Sequence, residues 1–157
     1  MSTVIYLVRH AKAGERRTWE GHDIDRPLSK AGWQQAESLA TRLATKTPSV
    51  LLSSPYRRCI QTLEPLADVL GLDVQVEQRL CEDEPFEPVL DLLSEVPDRA
   101  VLCSHGDLVP ATIAALVRRG MEIQSTPDWR KASTWVLKRS KKGTFSRGKV
   151  WPPPARG

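Results

Sequence analysis

The stretch VIYLVRHAKAG, residues 4–14, decides the fold of this chain. From Thr3 onward the residues form an unbroken β-branched and apolar run, which is typical of a strand covered on both faces. Such a strand belongs at the centre of a parallel sheet. The run ends abruptly on Arg9 and His10, which small residues and Lys12 follow. Because ligands bind at the carboxyl ends of strands in open parallel sheets, this ending indicates a functional site.

Helices and strands are predicted to alternate along the rest of the chain. Apolar residues at helical spacing, with Ser29 as one N-cap and Pro55 at another first position, predict helices over 28–46, 55–71, 86–96 and 106–120. Short apolar runs predict strands over 49–54, 73–80 and 100–105. This alternation implies right-handed crossovers and helices on both faces of the sheet.

The C-terminal part has a different pattern. Within residues 133–151, two strand-like runs flank Lys141, Lys142 and Gly143, which is a hairpin signal. No internal repeat or linker divides the chain. We therefore predict a three-layer α/β/α sandwich with a mainly parallel sheet and a C-terminal hairpin, formed by a single domain over residues 1–157.

Composition excludes several classes of protein. The chain is 40% hydrophobic and 27% charged, and no apolar run approaches the roughly 18 to 20 residues of a membrane span. Residues 1–8 lack the features of a secretory signal, so we expect a cytoplasmic protein without membrane contact. Three cysteines without C-x-x-C spacing argue against both a disulfide framework and a thiolate zinc site.

Charge is unevenly distributed. Residues 1–117 hold 12 basic and 17 acidic side chains, a net charge of −5, whereas residues 118–157 hold 11 and 2, a net charge of +9. A nucleic-acid-binding face could have this asymmetry, but no RNA-binding motif or aromatic platform accompanies it. A solvated basic hairpin is the better interpretation, and nucleic acid is not expected as a partner.

Three predicted strands end on polar residues of one chemical kind. The first ends in Arg9 and His10, the second leads into a helix start that carries Arg57 and Arg58, and the strand over 100–105 ends in His105. The carboxyl ends of parallel strands meet at one edge of the sheet, so these side chains predict a cationic pocket there. Guanidinium groups match phosphate oxygens in bidentate geometry, which favours a phosphate ligand.

The residues at these ends resemble a known family. LVRHAKAG, LLSSPYRRCIQT and VLCSHG are similar to three signatures of the histidine phosphatase superfamily, also called the phosphoglycerate mutase-like family. DRPLSKAGWQQA (25–36) and KASTWVL (131–137) further resemble its SixA-type phosphohistidine phosphatases and the phosphatase domain that some Nudix hydrolases carry. The similarity covers nearly the entire chain, which contains no Nudix box.

This resemblance implies a role for each matching residue. His10 corresponds to the nucleophile that becomes phosphorylated, and Arg9, Arg57 and His105 correspond to the other members of the phosphate pocket. RLCE (79–82) matches the position of the proton donor and points to Glu82. Neighbouring acids of the same loop leave that assignment open: Asp83, Glu84 and Glu87. Gly106, at a helix start, is expected to add backbone donors to the phosphate.

The loop over residues 12–27 is expected to meet the substrate beyond its phosphate. Lys12 and Arg26 are the candidates, although Arg26 could equally be a structural ion-pair partner. The sequence GHDID (21–25) offers three metal-ligand types on one short loop, which is weak evidence for a metal site. We expect no metal and no cofactor.

The leading hypothesis is a metal-independent phosphatase that works through a phosphohistidine on His10, resembling protein phosphohistidine phosphatases. Alternatives are a small-molecule phosphatase acting on a nucleotide, sugar phosphate or polyphosphate, and a non-catalytic phosphate-binding module. The expected partner is a phosphorylated substrate, and the expected state is a monomer or weak dimer. Nearby guanidinium groups should lower the pKa of His10, and a backbone carbonyl in the turn over 11–14 should orient its ring.

Overall fold

The structure is a computed structural model that describes residues 2–154. Seven strands, four α-helices and two short 3-10 helices follow one another along the chain. The strands are β1 (Thr3–Arg9), β2 (Val50–Ser53), β3 (Val74–Val76), β4 (Ala100–Ser104), β5 (Glu122–Ile123), β6 (Thr134–Arg139) and β7 (Phe145–Trp151). The α-helices are α1 (Lys30–Ala44), α2 (Arg57–Leu70), α3 (Glu87–Glu95) and α4 (Leu108–Arg118), and the 3-10 helices are Asp23–Asp25 and Gln78–Leu80.

All seven strands form one sheet in the order β3-β2-β4-β1-β6-β7-β5. β3, β2, β4 and β1 are parallel, whereas β6 runs antiparallel to both β1 and β7. β5 pairs parallel with β7, so the sheet is mainly parallel, as predicted, and the predicted C-terminal hairpin is confirmed as β6–β7. In this register Arg9 lies opposite Ser104 and Ser53 lies opposite Cys103. The carboxyl ends of β1, β2 and β4 thus meet at one edge.

Helices cover both faces of the sheet, which confirms the predicted three-layer sandwich. Alternate residues of β1 enter two separate cores: Ile5 and Leu7 pack with α3 and α4, whereas Tyr6 and Val8 pack with α1 and α2. Side chains of a strand point alternately to opposite faces, so a strand that is apolar at every position must be covered on both.

The boundaries of most predicted elements agree with the structure, but the strand predicted over 73–80 covers only Val74–Val76, and Gln78–Leu80 form a 3-10 helix. Ser29 caps α1 by accepting a hydrogen bond of 3.1 Å from the Gly32 N–H. α2 begins at Arg57 rather than Pro55, which lies in a bend. α4 begins at Leu108 because the Asp107 side chain accepts from the Leu108 N–H and acts as its N-cap. No helix within residues 2–154 has the length and hydropathy to cross a membrane.

Candidate active site

A cavity of about 320 Å³ opens at the edge where β1, β2 and β4 end. We call it the phosphate pocket. Its wall includes Arg9, His10, Arg26, Arg58, Glu82, Gly106 and Lys131. His105 lies against His10, with 5.4 Å between the two ring centroids and the rings nearly perpendicular. The structure therefore brings together Arg9, His10 and His105, as the strand ends predict.

His10 is held in one ring orientation. Its Nδ1 donates to the Ala11 carbonyl oxygen at 2.8 Å, and its own backbone N–H donates to the Ser104 carbonyl at 3.0 Å. A carbonyl only accepts, so Nδ1 carries the proton and Nε2 keeps a free lone pair. Burial, with smaller contributions from His105, Arg58 and Arg9, lowers the pKa of His10 to about 3. The expected carbonyl and the expected direction of the pKa shift are both present.

Arg9 reaches the pocket because residue 106 has no side chain. A Cβ at Gly106 would lie 2.6 Å from the Arg9 Cζ, closer than real contacts allow. One guanidinium nitrogen of Arg9 donates to the Trp129 carbonyl at 2.6 Å, which anchors the group from the loop before β6. Gly106 thus makes room for Arg9, and its role as a backbone donor stays a prediction.

The arginine of α2 that enters the pocket is Arg58, and the prediction of Arg57 is wrong. Arg57 is exposed and lies outside the pocket wall, whereas the Arg58 side chain is 1% exposed. Consecutive residues of a helix point about 100° apart, so only one of the pair can face inward. Arg58 shares the buried face of α2 with Thr62 and Leu66, at i+4 and i+8.

Helical spacing could have identified the inward arginine. Arg57 shares its face with Glu64 and Asp68, at i+7 and i+11, and both of these acids are exposed. Counting back eight positions from the apolar residue Leu66 leads instead to the other arginine, Arg58. Its guanidinium donates to Glu82 Oε1 at 2.9 Å and to Asp23 Oδ2 at 3.1 Å.

His105 is buried behind the pocket and is oriented by Ser54. The Ser54 hydroxyl lies 2.8 Å from His105 Nε2 and also accepts a hydrogen bond from the Tyr56 N–H. The hydroxyl proton can therefore go to Nε2, which leaves the proton of His105 on Nδ1. Burial, then Arg58, lowers the pKa of His105 to about 3, so its ring is neutral near pH 7.

Glu82 is the acid closest to the charged groups of the pocket. Besides its bond to Arg58, its Oε2 lies 3.8 Å from His105 Nδ1. Burial raises the pKa of Glu82, with Arg58 acting in the opposite direction. Asp83 also lines the pocket, but its backbone N–H is bound to Asp107 Oδ2 at 2.8 Å in a left-handed turn. These contacts favour Glu82 among the four acids of the loop.

Asp23 organises the loop over the pocket, a role that the sequence alone does not reveal. Its carboxylate contacts Arg26 at 2.9 Å and Arg58 at 3.1 Å. Burial acts to raise its pKa, but hydrogen bonds from Arg26 and Arg58 outweigh burial and lower the pKa to about 2. Arg26 is thus an ion-pair partner that also lines the pocket and donates to the Gly14 carbonyl. Within residues 2–154 no group of three His, Cys, Asp or Glu side chains could hold a metal ion.

A second cavity of about 590 Å³ adjoins the phosphate pocket, and Arg9 and Lys131 line both. We call it the outer cavity. Lys12 lies in its wall and not in that of the phosphate pocket. The remaining wall is formed by Gln35, Arg130, Pro153 and Pro154. The role of Lys12 in substrate binding stays a prediction, and the sequence does not indicate Lys131.

The sequence model of the histidine phosphatase superfamily (branch 1) matches residues 5–84, the segment that contains His10, Arg58 and Glu82. The chain belongs to this superfamily. It is 34% identical over 139 residues to the 8-oxo-(d)GTP phosphatase of Mycolicibacterium smegmatis, which covers 85% of this chain and 43% of that protein. It is 36% identical over 80 residues to a protein of Hydrogenobacter thermophilus described as phosphoserine phosphatase 2, which covers 50% of the chain and 39% of the relative. The chain therefore spans less than half the length of both relatives.

Solved structures share the fold over almost the whole chain. A protein of Agrobacterium tumefaciens described as the phosphohistidine phosphatase SixA superposes with a TM-score of 0.73 at 26% identity, covering 99% of both chains. A protein histidine phosphatase SixA complexed with tungstate gives 0.75 at 23% identity, covering 92% of this chain and 95% of that one. These likenesses confirm the predicted SixA-type, phosphoglycerate mutase-like fold.

Proposed function

We propose that this chain is a phosphatase that transfers a phosphoryl group from its substrate to His10 and then to water. One observation carries the proposal. Seven buried side-chain polar atoms of the described residues have no hydrogen-bond partner, and three of them belong to the site: Arg9 Nε, Arg58 Nε and His105 Nδ1. Buried donors are rarely left unpaired, because each costs free energy when it is desolvated without a partner. Three such donors beside one nucleophilic histidine are suited to the oxygens of a phosphoryl group.

His10 has the properties of a nucleophile near pH 7. With Nδ1 donating to Ala11 and a pKa of about 3, its Nε2 is unprotonated and free to attack phosphorus. The fixed ring orientation lowers the entropic cost of reaching the reacting geometry. In this step the Nε2–P bond forms as the bond from phosphorus to the leaving group breaks.

Positive charge around the pocket stabilises the transferring group. Phosphoryl transfer spreads charge over the equatorial oxygens, and preorganised donors stabilise that charge without further rearrangement. Arg9 and Arg58 supply guanidinium groups, and neutral His105 supplies the Nδ1–H that Ser54 directs. The two guanidinium groups provide the cationic charge of the mechanism, so activity is expected in the presence of a strong chelator.

Glu82 provides the proton transfers. Its raised pKa favours the protonated form that donates to the leaving oxygen, and Arg58 holds it at the pocket wall. The resulting carboxylate then accepts a proton from the water that attacks phosphorus. Breaking the Nε2–P bond releases phosphate and returns His10 to its neutral state.

Two substrate classes are compatible with this pocket. Protein phosphohistidine is the first, since the fold matches SixA proteins along nearly the whole chain. Small phosphorylated molecules, including nucleotides, are the second. The outer cavity favours the second class because it extends the cationic wall beyond one phosphate, and a relative carries the name 8-oxo-(d)GTP phosphatase.

The intermediate is tested by trapping. The protein is incubated with a ³²P-labelled phosphoryl donor in the presence of EDTA, quenched in alkali, and the label is mapped by mass spectrometry. We expect an acid-labile, alkali-stable phosphate on His10 that chases into inorganic phosphate. Turnover without any label on His10, or with label on another residue, contradicts the proposal. A panel of phosphohistidine protein, nucleotides and phosphoglycerates then ranks the substrate classes.

A further inference from the structure

The outer cavity continues the wall of the phosphate pocket. Because Arg9 and Lys131 belong to both cavities, these two side chains can contact a ligand in either cavity. Lys12 lies further along the same wall. The two lysines are therefore placed to contact the part of the substrate that lies beyond the transferred phosphoryl group.

The backbone holds Lys131 beside the end of β1. The next residue, Ala132, is buried and has a left-handed φ of 68°. Its N–H lies 3.1 Å from the Arg9 carbonyl oxygen and 3.2 Å from the His10 carbonyl oxygen. A non-glycine residue keeps this conformation only where the surrounding structure imposes it, and such residues cluster at functional sites.

The backbone of Lys12 is also held by several hydrogen bonds. Its backbone N–H donates to Gln35 Oε1 at 2.9 Å, and its carbonyl accepts from Ser29 N and Oγ at 2.9 and 3.0 Å. Gly32 permits this approach, because a Cβ there would lie 1.9 Å from the Lys12 carbonyl oxygen. Both lysines therefore extend from anchored backbone.

The charge of these lysines is uncompensated. Burial and then the cations Arg9, Arg26, Lys12 and Arg58 lower the pKa of Lys131. Within residues 2–154 neither lysine forms an ion pair. Arg130, in the same wall, is by contrast bound to Asp128 at 2.6 Å. Two unpaired ammonium groups beside a phosphate pocket are suited to a further anion.

We infer that Lys131 and Lys12 bind a second phosphate group adjacent to the phosphoryl group that His10 receives. The substrate is then a di- or triphosphate ester of a small molecule, and the leaving group is the phosphate that Lys131 contacts. When His10 Nε2 bonds to the terminal phosphorus, the bridging oxygen keeps the electrons of the broken bond, and the lysine charge stabilises it. This inference rests on the proposed function and selects the second of its substrate classes.

Binding is tested with two stable probes, methylenediphosphonate and methylphosphonate, which carry two and one phosphonate groups. Calorimetry should show at least tenfold tighter binding of the diphosphonate to the wild type. Lys131→Met and Lys12→Met should each reduce that preference by about tenfold, and Lys131→Arg should retain most of it. Lys142→Met, in the β6–β7 turn, is the matched control and should leave the preference unchanged.

Turnover provides the second readout. For Lys131→Met, the ratio of kcat/KM with a nucleoside diphosphate to that with p-nitrophenyl phosphate should fall about tenfold, mainly through KM. Equal binding of the two probes by the wild type, or an unchanged ratio in both lysine variants, would overturn the inference. Labelling of His10 by p-nitrophenyl phosphate separates the two failures. With labelling but no diphosphate preference, only the second phosphate site is wrong; without labelling, the proposed function itself fails.

Discussion

The phosphate pocket and the outer cavity share two residues but hold their charges in opposite ways. In the phosphate pocket, Arg58 is 1% exposed and bonded to both Asp23 and Glu82. In the outer cavity, the side chains of Lys12 and Lys131 belong to exposed residues, and neither is ion-paired within the described part of the chain. One set of cations is buried and ion-paired, and the other is exposed and without an ion-pair partner among the described residues.

This difference implies a division of work. Buried groups with fixed hydrogen bonds need no rearrangement as charge develops, so they stabilise the transition state and affect kcat. Exposed ammonium groups are strongly hydrated point charges on flexible stems, which attract an anion and affect KM. Substitutions in the phosphate pocket should therefore slow the reaction, and substitutions in the outer cavity should weaken substrate selection.

The largest effect is expected from the nucleophile. His10→Ala should lower kcat on the order of 10⁴-fold or more and abolish the labelled intermediate, since the proposed mechanism places the transferred phosphoryl group on His10. His22→Ala is the matched control, because His22 is exposed. Initial rates and labelling measure both variants. Residual activity above about 1% in His10→Ala would mean that the buried pocket is not where the reaction occurs.

The two neighbouring arginines of α2 provide the next test. Arg58→Ala should lower kcat by about 10²- to 10³-fold, whereas Arg57→Ala should change it less than about twofold. Breaking a buried ion pair also destabilises the fold, so the melting temperature of Arg58→Ala is measured alongside its rate. Arg58→Lys keeps the charge but not the bidentate geometry, and should remain folded with an intermediate loss. A larger loss in Arg57→Ala than in Arg58→Lys would reverse the assignment.

The arrangement of strands and helices, and the edge of the sheet that carries the site, are readily predicted from the sequence. β1 is apolar at every position from Val4 to Val8, which only a strand with two cores can satisfy, and the turn over 141–143 marks the hairpin. Alternation of strands and helices then brings Arg9, His10 and His105 to one edge. These predictions succeed because they depend on periodicity and strand direction rather than on individual side chains.

The individual side-chain contacts of the site are harder to predict from the sequence. Choosing between Arg57 and Arg58 requires knowing which side of α2 faces the core. The spacing of the apolar residues of α2 indicates that side, whereas a comparison of motifs does not use it. Asp23 contacts Arg58 across 35 positions of sequence, and no periodic pattern reports such a loop contact. Lys131 lines both cavities and precedes Ala132, whose left-handed φ is a conformation that alanine does not indicate.

A smaller and more selective effect is expected at Glu82. Glu82→Gln should slow the formation of phospho-His10 from an alkyl phosphate by about 10²-fold or more, since a poor leaving group needs the proton. With a phosphoimidazole, whose leaving group has a pKa of about 6.5, the loss should be about tenfold at most. Single-turnover labelling isolates this step from the later attack of water. Equal losses on both donors would remove Glu82 from the role of general acid.

The smallest effect is the change in stability with pH. It is expected from a residue of the phosphate pocket and not from a lysine of the outer cavity. His10 has a pKa of about 3 in the fold and about 6.5 in the unfolded chain. As the pH falls below 6.5, the unfolded state takes up a proton that the folded state does not, so stability falls with pH down to about 3. Between pH 7 and pH 5 this histidine accounts for a loss of about 2 kcal/mol in the free energy of unfolding.

His10→Asn should remove that contribution, since the amide of asparagine can still donate to the Ala11 carbonyl without titrating. Urea denaturation of the wild type and the variant at pH 7 and pH 5 measures the difference in acid sensitivity. Lys131→Met should show the same acid sensitivity as the wild type, because an exposed lysine stays protonated in both states over this range. If His10→Asn and the wild type lost stability equally, the pKa of His10 would be the same in the fold as in the unfolded chain. The lowering of its pKa by burial, and with it the contrast between a buried reactive pocket and an exposed binding cavity, would then be contradicted.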